Sequence, residues 1–141
     1  MKLSARSRYA TRLLLDLALN EDDKPLRTTI LSASTGITVQ FIEQIIRPLK
    51  KAGLIRSVRG ATGGHILDKA PETVTVGEIV RIMEGGIHLT DCVNDKSICS
   101  RSASCRTRQV WQRASRVLEE ELDSITLAEL VSNPAELSLF D

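Results

Sequence analysis

Apolar residues along this chain recur mostly at three- and four-residue steps, the spacing that puts side chains on one face of a helix. Between residues 5 and 20, Tyr9, Leu13, Leu14 and Leu17 predict a first helix whose arginines lie off the stripe. The polar break Glu21-Asp22-Asp23-Lys24-Pro25 follows, then a short helix from Thr28 to Ser34 that ends at Gly36. Thr38 to Gly53 is the segment around which the rest is arranged. Phe41, Ile42, Ile45, Ile46 and Leu49 share its inner face, Thr38 caps its start and Gly53 stops it. Pro48 removes the bond to the Gln44 carbonyl, so a bend is expected between those two residues. Leu54 to Arg59 reads as a short strand, Gly60 to Gly64 as a turn and His65 to Leu67 as the return strand. Asp68 to Thr73 reads as a loop. Thr75 and Glu78 form a capping box that opens a helix to Glu84, with Val76, Ile79, Val80 and Met83 inward and Gly85-Gly86 at its end. Asp91 to Ser104 has no periodicity. A long helix from Thr107 to Asp123 then carries Val110, Trp111, Ala114, Val117, Leu118 and Leu122. Thr126 and Glu129 make a second capping box, and Pro134 marks the end of a short last helix.

These elements predict a mainly α chain with a small β-hairpin wing. Two short helices joined by a Gly-containing turn are the mark of a helix-turn-helix, and a hairpin directly after one is a wing. Three parts are expected: a winged helix-turn-helix DNA-binding domain over 1–84, a cysteine loop over 85–106, and a dimerisation helix with a short C-terminal helix over 107–141. The outer face of the Thr38–Gly53 helix carries Gln40, Glu43, Gln44, Arg47, Lys50 and Lys51, donors and acceptors suited to base edges and phosphates. Arg59 sits where a wing tip reaches a minor groove. The candidate DNA-contacting residues are Thr28, Thr38, Gln40, Phe41, Glu43, Gln44, Arg47, Lys50 and Arg59. The plain alternatives are a solvated amphipathic helix and a surface hairpin. A helix-turn-helix protein usually binds DNA as a two-fold dimer, so the long helix is assigned to a homodimer interface.

At 141 residues and 42% hydrophobic, the chain is long enough to bury a core. No apolar run reaches the roughly 20 residues of a membrane helix. The start carries no secretory leader pattern, so a cytoplasmic location without membrane attachment is expected. A net charge of +1 says little about partners, but its distribution says more. Lys2, Arg6, Arg8 and Arg12 precede the first acid, and Arg47, Lys50, Lys51, Arg56 and Arg59 run without one. That suits duplex DNA, where phosphate neutralisation releases counterions. An aromatic content of 3% argues against a surface that stacks single-stranded bases. No nucleophile–base arrangement, carboxylate pair or nucleotide-binding glycine loop points to an enzyme.

Three cysteines, Cys92, Cys99 and Cys105, stand on the polar loop before the long helix. An odd number of them argues against a disulfide framework. Zinc would want four ligands and CxxC spacings, which are missing. The spacing leaves an iron–sulfur cluster, reactive thiols beside Arg101, Arg106 and Arg108, or simple burial. A small iron–sulfur electron carrier with an incidental basic face is the reading from another class.

The segments KLSARSRYATRLLLDLAL, FIEQIIRPLKKAGLIRSVRGATGG and VTVGEIVRIMEG, the three-cysteine loop and the DSITLAEL stretch resemble the IscR/NsrR/CymR family. These are bacterial winged-helix transcription regulators of the Rrf-two type, and the resemblance covers nearly the whole chain. It implies a homodimer on a palindrome-like operator, with a 2Fe–2S or 4Fe–4S cluster tuning the binding. By position it implies Cys92, Cys99 and Cys105 as cluster ligands, Gln40, Glu43 and Gln44 as base-reading residues and Arg59 as the wing arginine. The chain departs from the family at the fourth ligand. Arg108 stands where IscR-like members carry a His, and Arg8 where NsrR-like members carry an acid. His88, Asp91, Asp95, a serine or an outside molecule is then left to complete a cluster. CymR-like members regulate without these cysteines, so thiol sensing, or a partner protein as the signal input, stands beside the cluster. His65, on the return strand, is read as a packing or phosphate contact.

Overall fold

The computed structural model describes residues 1–132, so Pro134 lies outside them. The chain runs α1 (Ala5–Leu19), α2 (Thr28–Thr35), α3 (Val39–Lys51), β1 (Ile55–Val58), β2 (Gly64–Leu67), α4 (Val76–Glu84), α5 (Asp91–Asn94), α6 (Arg106–Asp123) and α7 (Leu127–Ser132). Single 3-10 turns at Pro71–Thr73 and Lys96–Ile98 interrupt the segments read as irregular. Helix starts follow from local chemistry. The hydroxyls of Ser4, Thr38 and Thr75 accept from the backbone N–H three residues on, satisfying orphan donors of α1, α3 and α4. At Thr126 the capping box is reciprocal: Glu129 N–H donates to the Thr126 hydroxyl at 3.2 Å and Thr126 N–H to the Glu129 carboxylate at 3.1 Å. At Thr75 the box partner Glu78 instead meets Lys69 at 3.4 Å.

α3 runs unbroken through Pro48, three residues before its end, and the Pro48 carbonyl accepts from Ala52 N–H at 3.0 Å. Placed so late, the proline costs one ladder bond without ending the helix. Gly36 and Gly85 close α2 and α4 in the left-handed region, at φ of 74° and 80°, where a β-carbon would be strained.

One core joins α1 to α7. Leu13 and Leu14 of α1, Leu31 of α2, Ile42, Ile45 and Leu49 of α3, Leu54, Ile79 of α4 and Leu127 of α7 are all fully buried. Each such side chain contributes about 1.5–3 kcal/mol of burial. Tyr9 and Phe41 close its edge, half-buried and edge-to-face at 5.4 Å. β1 and β2 form a two-stranded antiparallel sheet that pairs Ile55 with Leu67 and Ser57 with His65.

The end of α6 is sewn to the start of α4. Val76 N–H donates to the Ile125 carbonyl at 2.8 Å, and Leu127 N–H to the Val74 carbonyl at 2.9 Å. The Arg81 guanidinium bonds both Asp123 oxygens, at 2.7 and 3.0 Å, and Glu119 at 2.9 Å. That pairing holds the Asp123 carboxyl below its ordinary pKa and raises Arg81. Gly77 leaves the room Asp123 occupies, since a β-carbon there would collide with its carboxylate. The rest of α6 stands apart. Val110, Trp111, Val117 and Leu118 are 55, 42, 56 and 42% exposed, leaving an apolar stripe uncovered in the single chain. No helix among the described residues is long and apolar enough to cross a membrane.

Candidate functional site

The burial of α3 divides it into two faces. Ile42, Ile45, Ile46 and Leu49 are buried, while Gln40, Glu43, Gln44, Arg47 and Lys50 are exposed on the other side. The inner face fixes the helix, so the polar side chains project from a rigid support. Thr38 and Phe41 stand apart from that outer row. Thr38 accepts from Phe41 N–H at 3.3 Å as the N-cap, and Phe41 packs on Tyr9. The guanidinium groups of Arg8 and Arg12 lie 5.6 and 5.5 Å from the Tyr9 ring, placing cations beside the α3 start. Arg12 also donates to the Thr35 carbonyl at 3.1 Å, tying α1 to the end of α2.

The hairpin stands beside α2, and Arg59 is exposed at its turn. Leu26, just before α2, exchanges backbone bonds with His65 of β2 at 3.0 and 2.8 Å. The Arg27 side chain donates to the Ala61 carbonyl in the hairpin turn. Thr28, the first residue of α2, is hydrogen-bonded to the His65 ring rather than free. Gly64 permits this contact, because a β-carbon there would meet the Leu26 carbonyl at 2.5 Å. None of these ties was visible in the spacing of the sequence. The glycine immediately before a strand residue was the one signal of close backbone approach.

The cysteine loop is built differently. Cys99 is exposed, and Cys92 and Cys105 are half-buried free thiols. Cys105 is the N-cap of α6: its sulfur accepts from Arg108 N–H at 3.4 Å and bonds the Thr107 hydroxyl at 3.2 Å. The Thr107 hydroxyl first, and the Arg108 N–H second, lower the Cys105 pKa by favouring thiolate. Arg108 is itself 7% exposed. It donates to the Cys92 carbonyl at 2.7 Å, the Val93 carbonyl at 3.3 Å and Gln112 at 3.3 Å. This arginine pins the first cysteine's backbone to α6. The thiolates suit iron chemically, but no three His, Cys, Asp or Glu side chains among the described residues lie close enough together to hold a metal ion. His88 and Asp91 approach each other at 3.9 Å, and Asp95 caps Ser97.

The profile of the Rrf2 family, described as an iron-dependent transcriptional regulator, matches residues 3–133. The chain belongs to the Rrf2 family. It is 38% identical over 131 residues to the protein rrf2 of Nitratidesulfovibrio vulgaris, covering 93% of this chain and 87% of that one. The structure of T. potens IscR superposes with a TM-score of 0.78 at 32% identity, covering 100% of this chain and 93% of the other. CymR, the global cysteine regulator of B. subtilis, gives 0.76 at 31%, covering 94% and 97%. Rrf2 proteins are DNA-binding transcriptional regulators, not enzymes, and this Rrf2 chain has their winged-helix fold. The electron-carrier reading is thereby set aside.

Proposed function

We infer that this Rrf2 regulator acts in the cytoplasm as a homodimer on a palindrome-like duplex operator, with α3 in the major groove and the wing beside it. The carrying observation is the division of α3 into a buried apolar face and an exposed row of Gln40, Glu43, Gln44, Arg47 and Lys50. Thr38 and Phe41 flank that row at the start of α3, Thr28 joins the surface from the start of α2, and Arg59 serves the wing. The uncovered α6 stripe supports pairing with a second copy, which would remove Val110, Trp111, Val117 and Leu118 from water. In this reading 1–84 binds DNA, 85–106 receives the signal and 107–141 pairs the subunits.

Cys92, Cys99 and Cys105 are the residues that would hold an iron–sulfur cluster, and a cluster when bound would tie the ends of the loop together. IscR relatives support this reading. The chain's own residues pass the change on. Arg108 links Cys92 to the start of α6, and the Arg81–Asp123 pair joins the far end of α6 to α4. A coupling of about 1–3 kcal/mol would change DNA occupancy roughly 5- to 150-fold. The lowered pKa of Cys105 favours a second reading, in which the thiols themselves are the sensor or a partner protein acts on the loop. Purification without oxygen, with iron and sulfide counted per subunit and DNA affinity measured on the same sample, separates the two. Near-stoichiometric iron that is lost in Cys99→Ala, along with a change in affinity, supports the cluster. Iron-free protein whose specific binding changes on thiol alkylation supports the thiol reading.

A further inference from the structure

The wing is a two-stranded hairpin, and such a hairpin is marginal on its own. Its position depends on what ties it to the helices. The His65 ring sits between the two parts. Nδ1 meets the hydroxyl of Ser57, its cross-strand partner, at 2.9 Å, and Nε2 meets the hydroxyl of Thr28 at 3.1 Å. The first bond stays inside the hairpin, while the second crosses to α2. The His65 backbone makes the pair of bonds to Leu26, so ring and main chain grip the same corner.

An imidazole suits this place because a neutral ring offers one donor and one acceptor, and each hydroxyl takes either role. Burial first, and the nearby Lys50 charge second, lower the His65 pKa against the opposing pull of Glu43, which keeps the ring neutral near pH 7. Lys50 and Glu43 belong to the outer face of α3, so the charges of that face act on a ring held between the hairpin and α2.

We propose that His65 is a positioning residue that sets the wing against α2 through Thr28, and so fixes Arg59 relative to the outer face of α3. This rests on the reading of α3 and the wing as the DNA surface. The two ring bonds can be tested apart. An amide nitrogen at the end of Gln falls near the place of Nε2, and that of Asn near Nδ1.

The probe is a duplex enriched from a randomised pool by the wild-type protein. His65→Gln, which keeps the bond to Thr28, is expected to bind it within about twofold of wild type. His65→Asn and Thr28→Val, which lose that bond, are expected to bind roughly five- to tenfold more weakly, the size of one lost hydrogen bond. The double variant His65→Asn/Thr28→Val should be no weaker than either single one. A second selection with His65→Asn should lose base preference at the positions flanking the α3 contacts and keep it at their centre. Equal binding by His65→Asn and wild type overturns the proposal, as does equal weakening by Gln and Asn. Glu43→Ala and Lys50→Ala serve as controls. If they weaken or redirect binding while His65→Asn does not, only the role of His65 fails. If they too bind as wild type does, the DNA surface has been misplaced.

Discussion

The corner of α3 and the hairpin, proposed to face DNA, and the cysteine loop are held in opposite ways. In the first, α3 has an inner face buried against α1, α2 and α4, and the hairpin is fastened by Leu26, Arg27 and Thr28. In the second, only Ser102 is buried from residue 91 to 105, and Arg108 supplies the main tie to α6. Segments with few buried contacts open at low free-energy cost. The contrast fits the roles proposed for the two regions. A reading surface gains from being preformed, since DNA binding then spends little on ordering it. A signal site must be able to change shape when it gains or loses a ligand.

The largest expected difference is in stability. Ile45→Ala, inside the α3 core, should cost about 2–5 kcal/mol in denaturant unfolding, whereas Ile98→Ala in the exposed loop should stay within about 0.5 kcal/mol. Similar losses at both would erase the contrast. Gly64→Ala comes next, because its β-carbon would strike the Leu26 backbone at a φ of 154°. It should cost about 1–3 kcal/mol and loosen the hairpin, seen as faster amide exchange at His65. Arg108→Ala should cost about 1 kcal/mol globally, yet greatly speed exchange around Cys92 and Val93. Unchanged exchange there would show that something else holds the loop. The smallest effect concerns Cys105. Its lowered pKa means thiolate persists to lower pH than in an ordinary cysteine, so Thr107→Val should move its alkylation curve toward higher pH.

Much of the corner was legible in the sequence because its causes are local. Thr38, Thr75 and Thr126 announce helix starts, and the step from Ile42 to Ile45 and Leu49 announces the buried face. The hairpin glycines announce the turn. What stayed hidden depends on contacts across the chain. Thr28 is 37 positions from His65, and nothing in either neighbourhood says they meet. Arg81 and Asp123 meet for reasons of helix packing. Arg108 looked like a missing ligand, and its burial against the Cys92 carbonyl has no sequence pattern. Pro48 left the helix standing in the sequence, and its place near the end of α3 is why the helix continues through it. The cysteine spacing left cluster, reactive thiols or burial open, and gave no information about how near the loop brings the three sulfurs.

The most direct test of a preformed reading surface is selection of duplexes from a randomised pool, by the wild type, by Glu43→Ala and by Lys50→Ala, each followed by a salt titration. Glu43→Ala should recover a different or looser sequence. Lys50→Ala should recover the wild-type sequence with weaker binding and a salt slope flatter by about one unit. If all three proteins recover one sequence with one salt slope, α3 does not read DNA and the assignment of this face is wrong.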